Sequence, residues 1–235
     1  MTANEERGTP VGRRVVLGMV GLGALGVAFG APVGDALSRA LAPLTPDGDS
    51  ILPASGGFRY YSVTGSEPTR TAESYRLKIG GLVDRPTTFS YADLQAMPQT
   101  AMTKDFQCVT GWRVLDVPWR GVLLADLLDE VGVRTGAKAV RFRSFDGTYT
   151  ESLTLAQANR RDVLVGLQMY GKPITRSHGG PVRLYVAAMY GYKSLKWLGG
   201  IELGDEVVPG YWERRGYDVD AWVGRSNGRN DEPIG

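Results

Sequence analysis

Two side chains in this sequence have types that suit chemistry on a substrate or a metal, and each occurs only once among 235 residues. Cys108, the single cysteine, lies in the segment Asp105–Trp112, where an apolar strand pattern ends and a Thr-Gly turn follows. A side chain at the end of a strand, where a loop begins, is well placed to line a pocket. A lone cysteine is also typical of a small buried hydrophobic residue. The residue alone leaves both interpretations open.

His178, the single histidine, opens a loop that could bind an anion. The loop His178–Arg183 contains two glycines, which expose backbone N–H groups, and ends in an arginine with forked donors. A second loop, Tyr190–Lys196, combines a glycine turn with hydroxyls and two lysines. Donors of this kind suit phosphate. The alternative is a Gly-Pro turn with surface ion pairs, but two such loops close together favour one joint phosphate site.

A thiol–imidazole pair formed by Cys108 and His178 is a third interpretation, typical of a cysteine hydrolase. The sequence contains none of the known signatures around a nucleophilic cysteine, and no acidic or amide residue stands out to orient the imidazole. With one cysteine and one histidine, a disulfide framework is excluded. Zinc sites that need several such ligands are excluded as well.

The composition indicates a globular protein without a nucleic-acid partner. The chain has 27 basic and 25 acidic residues, a formal net charge of +2, which gives no electrostatic case for binding nucleic acid. Hydrophobic residues make up 43% and charged residues 22%, as in ordinary folded domains. The 32 glycines favour turn-rich β structure over a helical bundle.

The elements that position these residues are predicted to be mainly strands. Ser90 with Asp93 predicts a short helix that ends near Met97, and the spacing of apolar residues in 123–131 predicts a second helix capped by Gly132. Alternating or continuous apolar patterns predict strands at 75–79, 102–108, 140–145, 149–153, 163–167, 182–186 and 197–203. Strands do not alternate with long helices, so the predicted fold class is α+β with a mainly β core. Trp212 and Trp222 are expected to anchor a polar tail.

The first 42 residues predict an export signal or a membrane anchor. Arg13 and Arg14 precede Val15–Gly34, a stretch of 20 residues without charge. This pattern resembles a twin-arginine export signal. An uncleaved anchor is the alternative, because about 20 apolar residues can span a bilayer.

A glycine pattern within this segment is a misleading signal. Gly21–Gly26 fits G-x-G-x-x-G, but a dinucleotide site needs a preceding strand and a long following helix. Pro32 and Gly34 interrupt any such helix. Residues 43–57 are rich in Pro, Gly, Ser and Asp and are predicted to be a linker.

Four motifs occur in the order Phe106–Trp112, Val117–Val122, His178–Arg183 and Tyr190–Trp197. Together they resemble one known family, the molybdopterin-binding oxidoreductase domain of the sulfite oxidase superfamily. The resemblance covers residues 58–208, followed by a C-terminal tail at 209–235, and is closer to small bacterial members such as the periplasmic methionine-sulfoxide reductase catalytic subunit. The segment Phe58–Ser62 departs from the Asn-Asn-Phe-Tyr-Glu run of that reductase subunit.

The resemblance implies roles for individual residues around one mononuclear molybdenum cofactor. Cys108 would be the catalytic thiolate that ligates the metal, a soft anionic donor. Arg183 and Lys196 would hold the pterin and its phosphate. The further cofactor-binding residues that the resemblance implies are Tyr61, Ser144, His178, Ser194 and Leu195.

The resemblance further implies an exported oxidoreductase that transfers an oxygen atom, with two electrons, on a small sulfoxide-like or sulfite-like substrate. It would work in the periplasm or on the outer face of the cytoplasmic membrane, with a membrane haem protein or quinone-linked system as electron partner. The alternative is a cofactor-free envelope scaffold of the same fold. Arg59, Lys104 and Arg113 are candidates for substrate contact, and surface charge is the alternative for each.

Overall fold

The structure, a computed structural model, describes residues 58, 62, 63, 65 and 67–225. The predicted export signal and linker at 1–57 therefore lie outside the described residues, as do Arg59 and Tyr61. The described strands are β1 Arg76–Gly81, β2 Thr87–Ser90, β3 Thr100–Gln107, β4 Arg113–Leu123, β5 Ala139–Ser144, β6 Thr150–Thr154, β7 Val163–Met169, β8 Lys172–Pro173, β9 Arg183–Val186 and β10 Leu198–Gly204. The described helices are α1 Tyr91–Ala96, α2 Leu124–Val131 and α3 Leu155–Ala158, with 3₁₀ turns at Gly191–Lys193 and Glu213–Arg215.

The strands form two sheets. The first has the order β2-β1-β10-β5-β6, and the second has the order β3-β4-β7-β8, with β9 also paired to β7. The pair β1–β10 is parallel and the other described pairs are antiparallel. Strands dominate and the helices are short, which confirms the predicted α+β fold with a mainly β core.

Strand β7 of the second sheet is buried on both faces. Val163, Val165 and Leu167 contact the larger hydrophobic cluster, whereas Leu164 and Met169 contact a smaller one on the opposite face. All five side chains are buried. A strand buried on both faces reads as a continuous apolar run, and this is what the sequence shows here.

Both predicted helices are confirmed, with their predicted caps. The Ser90 hydroxyl accepts from the Asp93 backbone N–H and the Asp93 carboxylate accepts from the Ser90 N–H, a complete capping box on α1. Helix α2 ends at Gly132, whose φ of 71° favours glycine. The strand β4 was not predicted, and Leu123, assigned to the second helix, is its last residue.

The tail folds back onto the body. Trp212 and Trp222 both pack against the larger hydrophobic cluster, and Trp222 forms a β-bridge with Met189. In the part of the chain that the structure describes, no helix is both long enough and apolar enough to cross a membrane.

Candidate active site

The loops singled out in the sequence converge on one cavity of about 270 Å³, close to the lower size limit of small-molecule sites. Cys108 reaches it from the end of β3, and the two loops on either side of β9 supply the opposite wall. Its lining includes Phe58, Phe106, Cys108, Thr110, Trp112, Asp146, Tyr149, His178, Arg183, Tyr192, Ser194, Leu195, Lys196, Trp197, Trp212 and Tyr217.

Cys108 is held by a tight turn directly after β3. Its backbone N–H donates to the Trp112 carbonyl oxygen at 2.9 Å, and its own carbonyl oxygen accepts from Gly111 at 3.0 Å. The thiol is half-buried and lines the cavity, rather than being sealed in the core. Its sulfur shares a hydrogen bond with the Thr110 hydroxyl at 3.2 Å.

Arg183 joins the two glycine loops. Its guanidinium donates to the His178 carbonyl oxygen at 2.7 Å and to the Ser194 carbonyl oxygen at 2.8 Å. It lies 5.3 Å from the ring centre of Phe106 and 5.5 Å from that of Trp119. Complete burial lowers the pKa of Arg183 to about 10. These hydrogen bonds go to backbone oxygens, so Arg183 first of all fixes the shape of the cavity wall.

Lys196 makes fewer hydrogen bonds than Arg183, the other strongly basic side chain in the cavity lining. Its ammonium donates to the Ser177 carbonyl oxygen at 3.0 Å and lies 4.4 Å from the ring centre of Trp197. Among the described residues, no carboxylate lies within salt-bridge distance of it, although the more distant Glu67 acts to raise its pKa. Burial, and secondly the charge of Arg183, outweigh Glu67 and lower the pKa of Lys196 to about 8. A largely desolvated cation without a carboxylate in direct contact is suited to an anion from outside the chain.

Two glycines allow close packing around the cavity. A Cβ on Gly179 would lie 2.6 Å from the side chain of Lys196, and Gly179 has a φ of 97°. A larger residue at Gly179 would therefore push apart the two basic loops. A Cβ on Gly191 would lie 2.5 Å from the ring of Phe106, so Gly191 lets the second loop pack against the end of β3.

Three further residues for which the resemblance implied cofactor contacts, His178, Ser194 and Leu195, also line the cavity. His178 is buried with its ring edge-on to Phe58 at 4.8 Å between ring centres. Ser194 and Leu195 are buried in the opposite loop, where the Ser194 hydroxyl accepts from the Val186 N–H at 3.0 Å.

Ser144 does not join this cluster. Its hydroxyl accepts from the Tyr149 N–H at 3.0 Å and contacts the Asp146 carboxylate, so it closes the turn between β5 and β6. Its turn neighbours Asp146 and Tyr149 line the cavity instead. Of the candidates for substrate contact, Arg113 lies 3.8 Å from Asp105 in an ion pair outside the lining, and Lys104 is also outside it.

A buried charge cluster beneath the cavity had no counterpart in the sequence analysis. The Lys193 ammonium lies 2.7 Å from the Glu151 carboxylate, contacts Glu213, and donates to the Ser152 carbonyl oxygen at 2.9 Å. Glu213 also accepts from the Gly210 N–H. Burial raises the pKa of Glu151 to about 8, although Lys193 acts in the opposite direction. The three charged residues are far apart in the sequence, so no local pattern could reveal them.

This cluster fixes the tail, and the tail completes the aromatic wall. Trp212 precedes Glu213 in the sequence and Tyr217 follows it, and both line the cavity. The Tyr192 hydroxyl donates to the Asp218 carbonyl oxygen at 2.7 Å.

Within the described residues, the indole N–H of Trp112 is buried without a hydrogen-bond partner. A buried donor in the lining suits an acceptor on a bound molecule. The described part holds no cluster of three or more metal-binding side chains.

Comparison with known proteins identifies the family. Residues 64–212 match the family described as oxidoreductase molybdopterin binding domain. The chain is 37% identical over 150 residues to uncharacterized oxidoreductase YuiH of Bacillus subtilis, and the match covers 63% of this chain and 75% of YuiH. It is 30% identical over 188 residues to the putative protein-methionine-sulfoxide reductase subunit YedZ1 of Azospira oryzae, covering 79% and 68%.

A solved structure agrees with these relatives. The sulfane dehydrogenase SoxCD of Paracoccus pantotrophus superposes with a TM-score of 0.58 at 25% identity, over 63% of this chain and 42% of the SoxCD chain. These findings confirm the predicted membership of the sulfite oxidase superfamily. The chain therefore belongs to the oxidoreductase molybdopterin-binding domain family and is an oxidoreductase.

Proposed function

We propose that this chain is an exported molybdenum enzyme that transfers an oxygen atom to or from a small sulfur-centred substrate. The observation that carries the proposal is the convergence of the Cys108 thiol and the Lys196 ammonium, which has no carboxylate in direct contact, on one cavity in a member of a molybdopterin-binding family. The names of both the YedZ1 subunit and the SoxCD structure describe reactions at sulfur.

The residues present fit a molybdopterin. Cys108 offers the soft sulfur that a metal already held by a dithiolene would accept. Lys196 offers a desolvated positive charge for the phosphate, where a charge-assisted hydrogen bond is strong. The Trp112 indole N–H offers a donor that the described protein atoms leave unused. The cofactor, when bound, would supply the two-electron change of the metal on which the reaction depends.

The chain's own residues then act by positioning and exclusion. The Thr110 hydroxyl, 3.2 Å from the Cys108 sulfur, would withdraw electron density from the thiolate and so tune the metal. Arg183 holds both loops in register through their carbonyl oxygens. Tyr192 and Trp212 enclose the cavity and keep bulk water from the reacting atoms. His178 and the backbone at Ser194 and Leu195 would contact the pterin.

The reaction balances in either direction. Reduction of a sulfoxide consumes two electrons and two protons and yields a thioether and water. Oxidation of sulfite takes its oxygen from water and releases two protons and two electrons. In both cases a partner must exchange the electrons, and we propose a membrane haem protein or quinone-linked system for that role. The word subunit in the name of YedZ1 supports such a division of labour.

Export is the part of the proposal that rests on sequence alone. Arg13 and Arg14 lie outside the described residues, and their pattern favours the twin-arginine route, which exports folded proteins. Lysine at both positions should leave the protein in the cytoplasm, as measured by fractionation of cells. Normal export of that variant would point instead to a general secretory signal or a simple anchor.

Elemental analysis tests the proposed function. Protein from a host that makes the cofactor should contain molybdenum and pterin in stoichiometric amounts. Lys196→Met should lower both, whereas Lys172→Met, which changes an exposed lysine on β8, should leave both unchanged. Wild-type protein that folds in such a host without molybdenum or pterin would refute the proposal and favour a cofactor-free scaffold.

A further inference from the structure

The outer face of the first sheet carries a second hollow, of about 610 Å³, which differs from the cavity in its chemistry. Strands β1, β10 and β5 lie side by side here, and Gly200 of β10 pairs with Lys78 on one side and with Arg143 on the other. We call this hollow the basic trough. Its cationic lining consists of Arg70, Arg76, Lys78, Arg141 and Arg143.

The charge of the basic trough is concentrated, and two of its cations contact neutral groups of the chain: Arg76 donates to the carbonyl oxygens of Glu73 and Tyr75, and Arg70 lies over the ring of Phe145. Its one acidic side chain is Glu202, which pairs in register with Arg141. Among the described residues, none of the five cations forms a salt bridge with a carboxylate. The whole chain has a formal net charge of only +2, so this face has a far more positive charge than the rest of the molecule. Such a concentration attracts an anionic partner.

The floor of the basic trough contains a glycine, Gly200, that packing does not require. A Cβ on Gly200 would meet its nearest atoms at 3.9 Å, which is ordinary contact, so the fold does not require glycine at this position. A Cβ on the adjacent Gly199 would lie 2.5 Å from Phe145, so that glycine is required. The missing side chain at Gly200 therefore creates room between the rows that carry Lys78 and Arg143.

The spacing of the charges fits an extended polypeptide. Alternate residues along a strand are roughly 6.5–7 Å apart. Arg76 and Lys78 on β1, like Arg141 and Arg143 on β5, therefore have the same spacing as alternate side chains of an extended polypeptide. Strands β1 and β5 flank β10, so the two rows are roughly 9–10 Å apart. Guanidinium groups bind carboxylates through two parallel hydrogen bonds. The recessed floor admits a chain segment, whereas a flat bilayer surface would contact only the rims.

The basic trough also adjoins the wall of the cavity. Phe145 lines the trough, and its backbone N–H donates to the carbonyl oxygen of Trp197, which lines the cavity, at 2.7 Å. The turn that follows Phe145 places Asp146 in the cavity lining as well. A protein bound in the trough would thus lie against the wall of the site.

We propose that the basic trough docks an acidic, extended segment of a partner protein. The identification of that partner as the one that exchanges electrons with the site rests on the proposed function. The docking itself does not, because it depends only on the charges and shape of the first sheet.

Fluorescence anisotropy with a labelled peptide of alternating Glu and Gly residues tests the docking on the full-length protein. The peptide should bind with an affinity that falls as salt is raised. Lys78→Glu combined with Arg143→Glu should weaken binding at least tenfold. Gly200→Trp should weaken binding as well, because it fills the trough without changing any charge. The matched control, Arg120→Glu with Lys172→Glu, reverses two exposed cations outside the trough and should change binding less than twofold.

Three results would overturn the docking proposal. They are no peptide binding by the wild type, equal weakening in the control variant, and trough-dependent binding to phosphatidylglycerol vesicles without peptide binding. Molybdenum analysis of the same preparations distinguishes a failure of the docking proposal from a failure of the proposed function. Loss of the metal from wild-type protein would refute the proposed function, whereas peptide binding would still be measured independently.

Discussion

Two lysines, three residues apart on the loop after β9, differ in what stabilises their charge. Lys193 has a fully buried side chain that lies against Glu151 and Glu213. Lys196 is half-buried, its direct partners are the carbonyl oxygen of Ser177 and the ring of Trp197, and Glu67 acts on it only from beyond salt-bridge distance. Burial of a charge is costly unless an opposite charge accompanies it. The chain supplies that charge at Lys193, and we infer that the cofactor supplies it at Lys196.

The largest expected effect on folding comes from Lys193. Lys193→Met should lower the free energy of unfolding by about 3–5 kcal/mol, because it leaves two buried carboxyl groups without their cation. Denaturant unfolding of cofactor-free protein would measure this. The matched variant Lys196→Met should stay within about 1 kcal/mol of wild type, because it removes a desolvated charge that no carboxylate contacts directly. Equal losses in the two variants would remove the distinction between the lysines.

The next effect is on binding, where the order of the two lysines is reversed. Lys196→Met should weaken the pterin site roughly 10- to 150-fold, the equivalent of about 1.5–3 kcal/mol for a charge-assisted hydrogen bond. Cofactor retention during dialysis, followed by pterin fluorescence, would measure the change. Holo wild type should also melt higher than holo Lys196→Met, because bound ligand stabilises the native state only. Full retention in Lys196→Met would show that this ammonium does not hold the cofactor.

The last effect concerns pH and the carboxyl group beside Lys193. Burial raises the pKa of Glu151 from 4.5 to about 8, so the native state binds this proton more tightly than the unfolded state does. The resulting contribution to stability is fully present below the unfolded pKa of about 4.5 and is lost as pH rises through about 8. Glu151→Gln should therefore flatten the fall in stability between these values, as measured by unfolding across that range. An unchanged pH profile would show that Glu151 is already ionised in the native state.

The sequence predicted the local structure well wherever a short pattern carried the information. The capping box at Ser90 and Asp93 and the glycine at 132 defined both helices, because their physical cause lies within a few residues. Strand β4 was missed because Pro118 and Gly121 both read as interruptions. In the fold, Pro118 pairs with Thr103 of β3, just before the ladder with β7 begins, so no β7 partner needs its missing N–H.

The sequence predicted only part of the candidate site, because some of its contacts depend on the tertiary fold and not on a local pattern. Cys108, His178 and Lys196 were identified from their residue types and the motifs around them, and they share one cavity. Arg183 was expected to bind the phosphate, and its observed hydrogen bonds to the carbonyl oxygens of His178 and Ser194 depend on loop geometry that no local pattern encodes. Buried pairs between distant residues, such as Lys193 with Glu151, arise only from the tertiary fold.

X-ray absorption at the molybdenum edge, on wild type and Cys108→Ser, tests whether Cys108 ligates the metal. Serine changes one sulfur to oxygen and should leave the turn around Thr110 and Trp112 nearly intact. We expect the wild-type metal to have one more sulfur neighbour than the metal in the variant, and the variant to retain its pterin but to have no turnover. The same number of sulfur neighbours in both proteins, with turnover preserved, would show that Cys108 is not the ligand.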